Sequence, residues 1–96
     1  MLVVVAYDVN TSNAQGQKRL RKVAKLCERY GLRVQNSVFE VLVDAAQLET
    51  LKAGLSAEID HEQDSVRFYR LGNHYQNRIE TMGRVGLVQT GEPLLL

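Results

Sequence analysis

The chain opens with a nearly uninterrupted apolar run over residues 1–7, which ends in a single carboxylate, Asp8. A short run of Val and Leu without polar alternation is typical of a central strand that is buried on both faces of a sheet. Because an ionised carboxylate is costly to bury alone, we expect Asp8 at the mouth of this strand or beside a cation. It is either a cap for the following turn or a ligand.

Residues 13–30 follow the spacing of an amphipathic helix. Its apolar positions recur three and four residues apart and form one stripe, made of Leu20, Val23, Ala24, Cys27 and Tyr30. Cations follow the same spacing on the opposite side, at Lys18, Lys22, Lys25 and Arg29. This row is either an ordinary solvated face or a surface for anions. Gly31 is expected to end the helix in the C′ position.

The rest of the chain predicts strands and one further helix. Residues 33–43 are rich in β-formers, and Asn36 and Ser37 are expected to divide them into two antiparallel strands; one bent strand is the alternative. Asp44 is expected to cap a second helix that runs to about Ile59. Residues 65–71 are predicted as a fourth strand and residues 84–89 as an extra one, before a tail that ends in three leucines.

The order of these elements, β-α-β-β-α-β plus one strand, predicts an α+β fold of the ferredoxin-like type, with both helices on one face of an antiparallel sheet. We expect a single domain over residues 1–89 and a docking tail over residues 90–96. The other sheet face would be uncovered, so two copies are expected to pack across a two-fold axis as a homodimer. The extra strand or the terminal leucines would then dock on the partner.

Composition and charge limit the class of protein. The 96 residues carry a net charge of +1 and one cysteine, which indicates neither a disulfide framework nor disorder. No membrane span or secretory leader is evident, so we expect a cytoplasmic protein without a membrane partner. Seven of the twelve basic residues lie within residues 18–33, and seven of the eleven acidic residues lie within residues 40–64. The basic element is a candidate surface for phosphate backbones.

Few side chains have catalytic potential. His61 and His74 lack metal-ligand spacing, and no zinc, phosphate-loop or Ser-His-Asp pattern occurs. The main candidate is therefore Asp8. Across a two-fold axis, Asp8 and its mate would supply two carboxylates, which suit Mg²⁺ together with several waters. Such an ion would activate a water against a phosphodiester.

Two segments carry a resemblance to a known family. Residues 5–9, Val-Ala-Tyr-Asp-Val, and residues 33–40, Arg-Val-Gln-Asn-Ser-Val-Phe-Glu, flank the basic helix. They closely resemble the small universal CRISPR-associated adaptation proteins, the Cas two family, and the resemblance covers residues 1–89. It implies a ferredoxin-fold dimer with a shared Mg²⁺ and a metal-dependent endonuclease activity on RNA or DNA. It also implies a bridge that binds duplex DNA beside an integrase partner when new spacers are inserted.

The same resemblance implies roles for individual residues. It makes Asp8 the catalytic metal ligand, and the residues that would flank it are Tyr7, Ser37 and Phe39. Phe39 is alternatively a core residue, and Ser37 a turn residue. The side chains that would face nucleic acid are Lys18, Arg19, Lys22 and Arg33.

The functional alternatives stay open at this point. A lone carboxylate without a general base favours a purely structural DNA-binding adaptor over a nuclease in one respect. A related toxin-type ribonuclease and a small-molecule-sensing dimer of the same fold are weaker alternatives.

Overall fold

The structure is a computed structural model, and it describes residues 1–84. Six elements make up this part of the chain. They are β1 (Leu2–Asp8), α1 (Ala14–Glu28), β2 (Gly31–Gln35), β3 (Val38–Leu42), α2 (Ala45–Glu58) and β4 (Ser65–Gly72). This order confirms the predicted α+β plan. Two predictions lie outside the described residues: the tail over residues 90–96, and the extra strand apart from its first residue, Arg84. Neither of the helices described here is long and apolar enough to cross a bilayer.

The four strands form one antiparallel sheet in the order β2-β3-β1-β4. β1 is therefore hydrogen-bonded on both sides, and its Val5 lies opposite Phe39 of β3 and Phe68 of β4. Side chains alternate between the two faces of a strand. Val3, Val5 and Tyr7 are buried beneath the helices, whereas Asp8 belongs to the other face and is exposed. The uncovered face corrects the expectation that β1 is buried on both sides within one chain.

The core lies between the sheet and the two helices. The buried cluster includes Val3, Val5, Tyr7, Phe39 and Val41 from the sheet, Val23, Ala24 and Cys27 from the predicted stripe of α1, and Leu48, Leu51 and Leu55 from α2. Burial raises the pKa of the Cys27 thiol to about 12, so the sulfur is a packing group rather than a nucleophile.

Both helices begin at side-chain caps. The Asn13 Oδ1 accepts a hydrogen bond from the Gly16 N–H at 2.7 Å, which satisfies one free donor at the start of α1. The predicted cap of α2 is confirmed: the Asp44 Oδ1 accepts from the Gln47 N–H at 2.7 Å, and the Gln47 Oε1 accepts from the Asp44 N–H at 2.9 Å. This reciprocal pair is a capping box.

Gly31 has a different role from the predicted one. α1 ends at Glu28 and is capped by Arg29, while Gly31 is the first residue of β2, with no positive φ. A Cβ at Gly31 would lie 1.9 Å from the backbone oxygen of Glu40 on β3. The glycine is therefore needed for the close approach of two strands and not for a left-handed helix end.

We expect Gly31→Ala to destabilise the protein, because the added methyl group forces β2 and β3 apart. The expected loss in the free energy of unfolding is about 1 to 3 kcal/mol. Gly54→Ala in α2 is the matched control, since its Cβ would only reach ordinary contact, 3.4 Å from Leu26 Cδ1. That variant should gain about 0.5 to 1 kcal/mol from helix propensity. Urea unfolding measures both, and a Gly31→Ala protein as stable as wild type would contradict the close approach.

Candidate functional site

The sheet face opposite the helices, here called the open face, carries the candidate site. The strand registers place on it Leu32, Val38, Glu40, Leu42, Val4, Ala6, Asp8, Ser65, Arg67 and Tyr69. Three of its large apolar side chains are strongly exposed: Leu32 at 39%, Leu42 at 53% and Tyr69 at 47%. An apolar sheet face of this kind is a surface for association.

A pocket of about 350 Å³ opens where β1 ends, at one edge of the open face. It is lined by Ala6, Tyr7, Asp8, Ser37, Val38, Ser65 and Arg67. Ser65 is the cross-strand partner of Asp8. The Ser37 backbone oxygen accepts a hydrogen bond from the Tyr7 N–H at 2.9 Å, which holds the β2–β3 turn against the end of β1. Sequence analysis predicted Ser37 beside Asp8, and the structure brings these two residues into one pocket.

The oxygen atoms of this pocket suit a hard cation only in part. The Asp8 carboxylate is exposed, and two serine hydroxyls lie in the same pocket. Among residues 1–84, however, no group of three or more His, Cys, Asp or Glu side chains is placed to hold a metal. Mg²⁺ accepts one or two carboxylates if waters complete its shell. The pocket of one subunit therefore supplies one carboxylate and two hydroxyls, which fit Mg²⁺ only as part of a larger site.

Tyr7, Arg19 and Asp64 form a cluster on the helix side of the sheet, at the end of β1. Sequence analysis did not find this group, here called the Asp64 cluster. The Tyr7 hydroxyl donates to Asp64 Oδ2 at 2.5 Å, and the Arg19 guanidinium donates to the same carboxylate at 2.8 and 3.2 Å. The backbone N–H of Asp60 adds a bond at 3.0 Å. The Asp64 side chain has 0% exposure. Its position just before β4 was the only signal in the sequence.

Charge in the Asp64 cluster is balanced by these contacts. Burial alone raises the pKa of Asp64, but the hydrogen bonds from Arg19, Tyr7 and the Asp60 N–H outweigh it, so the pKa lies below its ordinary value. Burial, followed by the hydrogen bond to Asp64, raises the pKa of Tyr7 to about 12. The cluster therefore contains a carboxylate, a guanidinium and a neutral phenol at neutral pH, with no acid–base group free for chemistry.

Two predicted flanking residues lie mainly in the core. Phe39 is fully buried on the helix side of β3 and does not line the pocket. This corrects the expectation that Phe39 flanks Asp8. Cross-strand partners lie on the same face of a sheet, and the partner of Phe39 is Val5, which faces the helices. Tyr7 borders the pocket, but its hydroxyl is bound to Asp64 beneath the sheet.

The predicted nucleic-acid residues are also divided. Lys18 and Lys22 are exposed on α1, although the Lys22 Nζ lies 3.6 Å from Glu58 Oε1. Arg19 is only 17% exposed and is paired with Asp64, which corrects the expectation that it faces nucleic acid. The Arg33 guanidinium lies 5.8 Å from the Phe39 ring centre, and its Nε donates to the Asn36 backbone oxygen at 2.8 Å. These cations belong to the helix side of the sheet, away from Asp8.

Comparison with known proteins decides the family. The model of the family described as CRISPR associated protein Cas2 matches residues 1–79. This chain belongs to the Cas2 family. It is 54% identical over 95 residues to the CRISPR-associated endonuclease Cas2 of Halalkalibacterium halodurans, covering 99% of both chains. It is 50% identical to a CRISPR-associated endoribonuclease Cas2 of Rhodospirillum rubrum, covering 99% of this chain and 100% of that one.

Solved structures agree with this assignment. The chain is similar to Streptococcus pyogenes Cas2, with 55% identity, a TM-score of 0.82, and coverage of 86% of this chain and 100% of that chain. A hypothetical protein from Thermus thermophilus matches with 35% identity, a TM-score of 0.73, and coverage of 90% and 94%. The family resemblance predicted from residues 5–9 and 33–40 is thereby confirmed.

We expect Asp64→Asn to lower the free energy of unfolding by about 2 to 3 kcal/mol at neutral pH, because the charge-assisted bonds of a buried carboxylate are lost. A carboxyl whose folded-state pKa is depressed contributes fully above its ordinary pKa of 3.8. That contribution is lost as the pH falls through the lower folded-state pKa. The difference in the free energy of unfolding between variant and wild type should therefore be constant at higher pH and should shrink in acid.

Urea unfolding over a pH series measures this difference. Glu49→Gln is the control, because Glu49 is an exposed carboxylate on α2 and its removal should leave stability nearly unchanged. An Asp64→Asn deficit that persisted undiminished in strong acid would contradict an ionised, paired Asp64.

Proposed function

We propose that this protein is a CRISPR adaptation protein of the cytoplasm that works as a symmetric homodimer. It binds duplex DNA as the central bridge beside an integrase partner. At the dimer axis it has a Mg²⁺-dependent endonuclease site for RNA or DNA. The observation that carries this proposal is the position of Asp8, an exposed carboxylate at the end of the central strand, on the uncovered face of the sheet.

The open face supports the dimer. In a single subunit, Leu32, Leu42 and Tyr69 would stay in water beside the half-buried Val4 and Val38. Association of two open faces removes this apolar area from water, at about 25 cal/mol per Å². The same packing brings Asp8 towards its mate, because both lie on the open faces that the dimer buries. A chain of 96 residues also gains from a shared core.

The metal site would consist of Asp8 from each subunit, and waters would complete the shell of Mg²⁺. A bound Mg²⁺ would lower the pKa of a bound water and offset the charge on a phosphodiester. This chain's own residues bind and orient the substrate. The Ser37 and Ser65 hydroxyls line the pocket and are suited to donate hydrogen bonds to phosphate oxygens.

The outer side of α1 would bind the nucleic-acid backbone. Its row of cations, Lys18, Lys22, Lys25 and Arg29, is exposed on the helix surface opposite the buried Val23 and Cys27. Such a row neutralises phosphates and releases counterions, without reading sequence. This binding mode fits a protein that holds duplexes of any sequence.

A second function, a DNA-binding adaptor without physiological nuclease activity, is favoured by one observation. Residues 1–84 of one subunit hold no cluster of three metal ligands, so the hydrolytic machinery is sparse. In this case the integrase partner performs all the chemistry. Family membership sets aside the toxin-type ribonuclease and the small-molecule sensor.

We expect Asp8→Asn to reduce Mg²⁺-dependent hydrolysis by the purified dimer by about 100-fold or more, since the variant lacks both carboxylates of the site. Folding should be unaffected, because Asp8 is exposed. Cleavage of labelled RNA and duplex DNA is measured with and without Mg²⁺. Glu62→Gln removes an exposed carboxylate outside the pocket and should cut like wild type.

Spacer acquisition in cells separates the two functions. Loss of both hydrolysis and acquisition in Asp8→Asn would support a nuclease with a role in adaptation. Loss of hydrolysis with intact acquisition would support the adaptor. Equal cleavage by wild type and Asp8→Asn would refute the metal-site assignment and point to a contaminating nuclease.

We expect the triple variant Lys18→Gln, Lys22→Gln, Lys25→Gln to bind duplex DNA more weakly and with less dependence on salt. Each lost phosphate contact should reduce the slope of log K against log salt by about 0.9. Binding is measured over a series of salt concentrations. Lys52→Gln on α2 is the control, because it removes the same charge from the other helix, outside the row of cations on α1. An unchanged slope in the triple variant would exclude this side of α1 as the DNA surface.

A further inference from the structure

Glu40 is a carboxylate in apolar surroundings near the centre of the open face. Its cross-strand neighbours are Val4 on β1 and Leu32 on β2, and its neighbours on the same face of β3 are Val38 and Leu42. Burial among these groups raises the pKa of Glu40 even in the single subunit. Within residues 1–84 the Glu40 side chain has neither a hydrogen bond nor an ion pair. It therefore lacks the partner that a covered carboxylate requires.

Arg67 is the only cation that the four described strands place on the open face. It is exposed on β4, opposite Ala6, and its Nη1 contacts the Tyr69 hydroxyl at 3.3 Å. β1 separates β4 from β3, and Glu40 lies opposite Val4 whereas Arg67 lies opposite Ala6. Within one sheet the two backbones therefore stand about 12 Å apart, with side chains that point in the same direction. No ion pair joins them within the described part of the chain.

A two-fold axis brings these two charges together. The axis that unites Asp8 with its mate must pass close to β1, and β3 and β4 flank β1 on its two sides. Rotation about an axis that lies along β1, between two facing sheets, exchanges these flanks. The β4 strand of one subunit then lies over the β3 strand of the other. Facing sheets lie about 10 Å apart, and the partner's Arg67 is offset from Glu40 by two residues along the strands, so the two backbones are about 12 Å apart. The two side chains point towards each other across this gap and span it together.

We propose that Glu40 forms an ion pair with the partner subunit's Arg67, twice in each dimer, and that these pairs fix how the two open faces are aligned. This inference rests on the homodimer of the proposed function. An aligned dimer satisfies each Glu40 carboxylate as it loses its water. A symmetric dimer whose axis lay along β3 or β4 instead would place Glu40 against the partner's Glu40, or Arg67 against the partner's Arg67. The pairs thus select the alignment that also brings the two Asp8 carboxylates together.

Charge reversal tests the pairing. Glu40→Arg and Arg67→Glu each place like charges opposite one another at both contacts. Each should raise the dimer dissociation constant by about 100-fold or more. The double variant restores opposite charges in exchanged positions and should return to within about 10-fold of wild type. Sedimentation equilibrium gives the dissociation constants, and circular dichroism shows that each variant is folded.

Matched reversals away from the open face serve as controls. Arg70→Glu matches Arg67→Glu, because it reverses a positive charge on β4 but opposite the helix-facing Val3. Glu49→Arg matches Glu40→Arg, because it reverses a negative charge on α2. Both controls should stay dimeric. If the wild type is a dimer and the single reversals dissociate no more than these controls, the pairing is overturned but the dimer stands. Dissociation of both singles without rescue in the double would overturn it too. A monomeric wild type, with its open face covered by residues 85–96 or by another protein, would refute the dimer itself.

Discussion

The Asp64 carboxylate is the contact on which the arrangement of the site depends. It joins α1 through Arg19, the end of β1 through Tyr7, and its own loop through the Asp60 N–H. Tyr7 precedes Asp8, and Asp64 precedes Ser65, the cross-strand partner of Asp8. Bonds beneath the sheet therefore hold the backbone that presents the pocket residues above it. Within residues 1–84, Asp8 stays exposed and takes no part in those bonds.

The alternation of side chains along β1 separates two kinds of chemistry. The helix side is closed, and its polar groups satisfy one another, as the buried Asp64 shows. The four described strands give the open face aliphatic side chains, the carboxylates Asp8 and Glu40, and one guanidinium, Arg67. Such a surface is incomplete within one subunit. In the proposed dimer the same association completes a metal site, covers the apolar area and pairs the charges, so these three consequences have one cause.

The helix α1 illustrates why a row of cations cannot be interpreted from spacing alone. Lys18 and Arg19 are neighbours in sequence, but they point about 100° apart around the helix axis. Lys18 stays in solvent, whereas Arg19 turns towards the sheet and meets Asp64. The long side chain of Arg19 is suited to this pairing because its planar guanidinium binds a carboxylate at two points. The helix α1 thus combines an outer row of exposed cations with an inner structural contact.

Local patterns in the sequence determined the element order, the cap of α2, the apolar stripe of α1 and the candidate Asp8, because each depends on residues close together in the chain. The family followed from residues 5–9 and 33–40. Only the tertiary structure decided the roles of Gly31, Phe39 and Arg19. Each role depends on a partner distant in sequence or on a strand register: the Glu40 backbone oxygen, the face shared with Val5, and the Asp64 carboxylate. Strand pairing and side-chain contacts between remote segments leave no periodic signal, so the sequence marks Asp8 while the fold determines what surrounds it.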